Sequence, residues 1–435
     1  PISPSPSYHG YDVTDYFAVN PQYGSMEDFR RFLAEAHRRG IVVVTDLVLN
    51  HSSTQHPAFR AALRGDPKFR DWYIFVPEDQ VPTTRGPWDQ VVWHEANGKH
   101  YYGIFWSGMP DLNYRTPAVT AEAHRIAEFW LRDVGVDGFR LDAIRHLIED
   151  GDVMSDTPET VAWLKDFQRH VRTVKPDAFT VGEVWTVTET VSDYVAADAL
   201  DLAFEFELAT AILDAAKTGQ GDKLAYTIAN VAKSYPEGRY ATFVTNHDQN
   251  RIASELREDR AKMQLAASLL LTLPGVPFLY YGEEIGQVGA KPDEMIRNPM
   301  PWTPGTHGGF TTASQPWEPL QRGHETRNVA TQEADPESLL HHYRRLIRLR
   351  QSEAALLRGT TRVLETGRPE VVAWERTLGD RRLVVVANLS GAPIEGFELP
   401  GETGPWARDL LGAAVQGDRL VLQPQSVGVL ESAAR

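Results

Sequence analysis

The segment Ile41-Val42-Val43-Val44-Thr45-Asp46-Leu47-Val48-Leu49 constrains this chain more than any other. A continuous run so rich in β-branched side chains reads as a strand covered on both faces, the environment of a parallel sheet. A helical pattern precedes it. Ser25 and Asp28 form an N-cap pair of the capping-box kind, Met26, Phe29, Leu33 and Ala36 recur at helical spacing, and Gly40 ends the helix. The unit repeats. A helix around Ala121 to Val134 turns Ile126, Phe129 and Trp130 inward, Gly135 stops it, and Val136 to Asp142 reads as the next strand. Further strands are expected at Phe179 to Val184, Leu202 to Phe206, Tyr240 to Thr245 and Pro277 to Tyr281. Strands alternating with helices imply an α/β fold.

Residues 52–113 break this rhythm. They are rich in Pro, Trp, Tyr and charge, and too long for an ordinary loop between strand and helix. They read as a small domain inserted after the Ile41 strand. A last helical pattern covers roughly Pro336 to Gln351, and short alternating strands follow at Thr361 to Glu365, Val371 to Arg376, Arg382 to Asn388 and Ser426 to Glu431. The expected organisation is a main α/β domain at 1–51 and 114–355, an inserted domain at 52–113, and a C-terminal antiparallel β-sandwich at 356–435. A chain of 435 residues accommodates all three.

Charge and composition exclude several classes of partner. The formal net charge of -15 argues against nucleic acid, whose phosphates demand Lys and Arg, and against an anionic membrane surface. A neutral substrate is indifferent to it. Cysteine is absent, so disulfides and thiolate metal sites are ruled out and the compartment stays open. The longest apolar stretch, Leu269 to Tyr281, is broken by Pro274 and Pro277. No signal peptide is visible at Pro1, and a start on Pro reads as a cut end.

Three acids stand at the carboxyl ends of expected parallel strands. Asp142 ends Gly138-Phe139-Arg140-Leu141-Asp142, Glu183 ends Thr180-Val181-Gly182-Glu183, and Asp248 follows Phe243-Val244-Thr245-Asn246-His247. In an α/β barrel that end carries the active site. Glycoside hydrolysis needs two carboxyl groups in distinct roles, one attacking the anomeric carbon and one transferring a proton. Arg140, two residues before Asp142 on the same side of the strand, is expected to keep Asp142 ionised. Singly, a strand-end Asp serves equally as a helix cap or an ion-pair partner. Burying three acids beside Arg140, His51 and His247 is harder to explain without a use for them.

These segments carry a family resemblance. Asp46-Leu47-Val48-Leu49-Asn50-His51, Gly138 to His146, Gly182-Glu183-Val184-Trp185 and Phe243 to Asp248 resemble, in order and spacing, the four signature segments of the α-amylase family of glycoside hydrolases, family 13. The resemblance implies a (β/α)8 TIM barrel with an inserted domain and a C-terminal β-sandwich. It places two more strands and a helix before Pro1, so the sequence is expected to begin inside the barrel. It assigns Asp142 as nucleophile, Glu183 as general acid/base and Asp248 as transition-state stabiliser. Arg140, His51 and His247 would bind the glucose being cleaved, with Tyr11 as the aromatic platform beneath it. Arg145 and His146 would line the leaving-group side, although Arg145 reads equally as a solvated helix residue. Asn50, Asp111 and the backbone of His146 match positions that hold a structural Ca²⁺ in many family members, while metal-free relatives also occur. No organic cofactor is implied.

The segment Met109-Pro110-Asp111-Leu112-Asn113 resembles the form found between oligo-1,6-glucosidases and neopullulanases, a group composed mostly of α-amylases. Arg297-Asn298-Pro299-Met300-Pro301-Trp302 resembles a segment of α-glucosidases and trehalose synthases. The expected activity is retaining hydrolysis of α-1,4-glucosidic bonds in starch-type glucans or maltooligosaccharides. The alternatives are an α-glucosidase, a glucosyl-transferring relative such as a trehalose synthase or glucanotransferase, and a non-catalytic family member. Trp88, Trp93 and Trp106 of the inserted segment are either sugar contacts or packing residues.

Overall fold

Ser25 opens the first helix, Met26–Arg38, through the reciprocal capping box with Asp28 that its spacing predicts. The computed structural model that shows this describes residues 1–236, 238–401, 406–416 and 419–432, the side chains of 407, 413–416 and 432 excepted. The chain forms two compact units, residues 1–185 with 190–204, and residues 186–189 with 205–435.

In the first unit four strands pair side by side in a parallel sheet, in chain order. Its strands are β1 (Val44–Val48), β5 (Gly138–Asp142), β6 (Phe179–Gly182) and β7 (Leu202–Ala203), and between β1 and β5 come β2 (Phe75–Pro77), β3 (Trp93–Ala96) and β4 (Lys99–Tyr102). Leu47, Phe139, Leu141 and Val181 are buried in it. The strand expected from Ile41 begins later, at Val44, and Ile41 and Val42 are exposed. The cause is local: Gly40 turns with φ +72°, and the Ile41 amide donates to the Ala36 carbonyl, so these residues close the helix. The helix expected around 121–134 runs over Pro117–Glu128 and continues as a wider turn over Phe129–Val134. Gly135 ends it with φ +98°, a conformation that favours glycine. In the 52–113 segment β2, β4 and β3 form an antiparallel sheet, with Val92, Tyr102 and Ile104 buried beside it.

The second unit holds the parallel pair β8 (Ala241–Thr242) and β9 (Val276–Pro277). Helices Phe206–Thr218, Asp222–Ser234, Arg260–Thr272 and Leu339–Ser352 belong to it. Of the strand expected at 240–245 only Ala241 and Thr242 are paired, and of that expected at 277–281 only Pro277, with Val276 before it. After residue 359 come β10 (Thr360–Leu364), β11 (Val371–Leu378), β12 (Arg381–Asn388), β13 (Ile394–Phe397), β14 (Trp406–Leu411), β15 (Ala413–Gln416), β16 (Arg419–Leu422) and β17 (Ser426–Ser432). They make two antiparallel sheets, β10-β11-β12-β17-β14 and β13-β16-β15. Val371, Ala373, Val384, Val386 and Leu430 from one sheet and Ile394, Phe397, Leu420 and Leu422 from the other share one core. Among the described residues no helix is long and apolar enough to cross a membrane.

Candidate active site

Parallel register places Asp46 of β1 beside Arg140 of β5. Side chains alternate along a strand, so Arg140 and Asp142 share a face. Glu183 follows directly on β6, its amide donating to the Leu141 carbonyl at 2.9 Å. One guanidinium therefore meets three carboxylates. Arg140 Nη1 donates to Asp46 Oδ1 at 2.9 Å and to Asp142 Oδ1, and Nη2 donates to Glu183 Oε2 at 2.7 Å. The Ala143 amide donates to the same Glu183 oxygen at 3.1 Å. Ala143 holds φ at +49°, so the residue after Asp142 sits in the left-handed region that side chains with a Cβ disfavour. The Tyr11 hydroxyl donates to Asp46 Oδ2 at 3.3 Å, and the Arg140 guanidinium lies 5.8 Å from the Tyr11 ring centre.

Burial pushes the Asp142 carboxyl well above the usual carboxylate range; Arg140 opposes the rise, and the charges of Glu183 and Asp46 add to it. Arg140 thus acts in the direction expected of it, towards the ionised form, while burial and the other two acids act against it. Burial also works against the Arg140 cation, but Asp46, Glu183 and Asp142 outweigh it and raise its pKa.

His51 is buried, and burial lowers its imidazole to about 3, so it is neutral near pH 7. Its Nε2 has no hydrogen-bond partner, which leaves it able to meet a substrate hydroxyl. His146 is likewise driven down by burial, to about 4. A neutral ring bonded through Nδ1 to the Met154 carbonyl at 2.8 Å must donate there. Arg145 is not a solvated residue: it pairs with Asp156, which also accepts from the Tyr194 hydroxyl at 2.9 Å, and it donates to the Trp185 carbonyl at 2.5 Å. It thus ties the loop after β5 to the loop after β6.

The second unit carries Asp248 and His247. Arg297 Nη2 donates to Asp248 Oδ1 at 2.9 Å, its Nε donates to the His247 carbonyl at 2.9 Å, and His247 Nε2 lies 3.2 Å from Asp248 Oδ2. Asp46 and Arg297 were not among the expected site residues. Asp46 opens a signature segment, yet only the β1–β5 register shows that it faces Arg140. Arg297 stands in a segment that hinted at subfamily alone.

Of the tryptophans left open by sequence, Trp93 packs edge-on against Tyr102, with ring centres 5.3 Å apart. Trp106 is exposed and lies over Gly108, where an added Cβ would come within 2.2 Å of the indole. Trp88 is exposed and stacks on Phe105.

Asn50 and Asp111 are buried, and Asn50 Oδ1 and Asp111 Oδ2 have no hydrogen-bond partner. Burial and the neighbouring Glu149 push the Asp111 carboxyl well above its usual range. Orphaned acceptor oxygens of this kind fit a hard cation such as Ca²⁺. Among the described residues no group of three or more His, Cys, Asp or Glu is placed to hold a metal, so amide and backbone oxygens would complete the set.

Residues 1–359 match the family described as Alpha amylase, catalytic domain. Alpha-amylase 3 of Dictyoglomus thermophilum is 36% identical over 99% of this chain and 84% of its own length. The oligo-1,6-glucosidase of Parageobacillus thermoglucosidasius is 30% identical over 92% of this chain and 84% of its own length. Among solved structures, the α-amylase from H. orenii superposes with a TM-score of 0.88 at 37% identity, covering 100% of this chain and 89% of that one. These likenesses give the fold class, a (β/α)8 barrel with a C-terminal antiparallel β domain. The chain therefore belongs to the α-amylase family of glycoside hydrolases.

Proposed function

We propose that the chain hydrolyses α-1,4-glucosidic bonds in starch-type glucans or maltooligosaccharides with retention of configuration. The observation that carries this is Arg140 bonded at once to Asp142 and Glu183 on neighbouring strand ends. One guanidinium reaching both acids fits the close carboxyl pair of a retaining enzyme, about 5 Å, better than the roughly 6.5–9.5 Å of an inverting one.

Asp142 attacks the anomeric carbon while Glu183 gives its proton to the departing glycosidic oxygen. Water then attacks the glycosyl-enzyme, Glu183 takes the water proton, and the Asp142 carboxylate leaves. Asp248, carried by the second unit, takes the stabilising role on the strength of its signature segment. Arg140, neutral His51 and His247 bind the glucose, Tyr11 supports its apolar face, and His146 with Arg145 shapes the leaving-group side. Asn50, Asp111 and the His146 carbonyl would hold a structural Ca²⁺, which would supply charge neutralisation for Asp111 and no chemistry at the sugar.

The test is a time course of products from maltoheptaose, with Glu183→Gln alongside. Shorter maltooligosaccharides from the parent alone are expected. Longer chains or trehalose would replace hydrolysis by glucosyl transfer, and equal turnover by Glu183→Gln would remove Glu183 from the mechanism.

A further inference from the structure

Trp88 is 61% exposed, a large apolar side chain facing water on the inserted segment. Single exposed apolar residues are common and need no explanation. This one is held in place. The Trp88 amide donates to Gln90 Oε1 at 2.8 Å, Gln90 Nε2 donates to the Ile104 carbonyl at 2.8 Å, and the Gly86 amide donates to the Gln90 carbonyl at 2.9 Å. The Gln90 amide group fills the place of a Cβ on Gly86, 2.2 Å from where that atom would stand, so a larger residue there would displace the amide from these bonds. Both ends of one side-chain amide are thus used to present one indole.

The indole stacks on Phe105, with ring centres 5.8 Å apart at 29°, and stands edge-on to His146 at 6.0 Å. Phe105 in turn meets His146 at 5.8 Å and buried His51 at 5.3 Å, both edge-on. A continuous row of rings therefore leads from His51 out to Trp88. The family resemblance assigns His146 to the leaving-group side, and Trp88 touches His146, whereas Tyr11 lies with Asp46 and Arg140. A flat, uncovered indole suits the apolar C–H face of a sugar, and a neutral ligand is indifferent to the acidic chain.

We propose that Trp88 is the acceptor-side platform of the site, binding a glucosyl residue of the departing chain or of an incoming acceptor. This rests on the hydrolase reading above. The acceptor hydroxyl attacks the anomeric carbon of the glycosyl-enzyme, its proton passes to Glu183, and the Asp142 carboxylate is released, so the same platform serves cleavage and transfer. Trp88 then sets how far sugar competes with water.

The experiment compares kcat/KM on maltoheptaose with kcat/KM on α-maltosyl fluoride, whose fluoride leaving group carries no sugar. The ratio of the two is expected to fall roughly five- to tenfold in Trp88→Ala and to recover largely in Trp88→Phe. Transfer products from maltotriose should fall with it. Trp88→Leu keeps apolar packing on Phe105 without a flat face and is expected to lose the ratio likewise, which decides the matter if Trp88→Ala does not fold. An unchanged ratio, whether both substrates are spared or both suffer equally, overturns the proposal. A parent chain that cleaves neither substrate overturns the hydrolase reading, and this inference with it.

Discussion

Arg140 bears more of the site than any other side chain, because three acids depend on it. Replacing it by Met would leave Asp46, Asp142 and Glu183 together with no cation, and breaking such buried pairs typically costs about 3–5 kcal/mol. Arg140→Met is thus expected to lower the urea midpoint strongly at pH 7 and less at pH 4, where protonation relieves the repulsion; an equal loss at both would show that the acids do not share this cation. Asp142→Asn should reduce turnover at least about a thousandfold and abolish covalent sugar on the protein, as read by intact mass after a fluorosugar trap. Glu283 gives a separate pH signature. Burial raises its carboxyl to about 7, while Tyr343 donates to it at 2.6 Å. The folded chain therefore holds a proton that the unfolded chain loses near pH 4.5. Stability from this group is full below that value and is lost as pH rises towards 7, a slope integrating to about 3 kcal/mol. Glu283→Gln should flatten unfolding free energy between pH 4.5 and 7, and an unaltered slope would place the titration elsewhere.

The strands that carry the site leave little freedom at the element scale. Gly138 opens β5, and a Cβ there would lie 2.0 Å from the Phe179 carbonyl oxygen of β6, a backbone atom that cannot step aside. Gly138→Ala should separate β5 from β6, cost about 3 kcal/mol or more, and take Arg140 and Asp142 out of place. Unaltered melting and activity would mean that the two strands are less tightly joined than their register implies. Periodicity found the helices because one face of each is apolar; it overran the ends of short strands, since Ile41 and Val42 have strand-forming side chains yet lie in a helix-closing turn. Strands β13 to β16 escaped it because they are only four to six residues long, too short for a pattern of alternation to stand out.

Across the whole molecule, charge and metal make different demands. With a net charge of -15 and a neutral substrate, kcat/KM on maltoheptaose is expected to change less than about twofold between low and high salt, in contrast to a charged substrate steered by the field. Chelation followed by dialysis should lower the melting temperature by roughly 5 °C or more if Asn50 and Asp111 hold Ca²⁺. Metal analysis that finds no bound calcium, with melting unmoved by chelator, would leave those orphaned oxygens to water.

Taken alone, the sequence determined the α/β alternation, the antiparallel C-terminal segment and the strand-end positions of Asp142 and Glu183. Such features are local, because side-chain periodicity and short ordered motifs survive in one dimension. Tertiary structure decided what depends on register and burial between distant segments. Asp46 faces Arg140 only because β1 pairs with β5 in one register, and Arg145 finds Asp156 only once the loop after β5 closes. Trp93 packs and Trp88 stands in water although both are tryptophans of one inserted segment, since burial is settled by what the rest of the chain brings alongside. The upward push on the Asp142 carboxyl has the same origin: desolvation and charge are properties of a place in the fold.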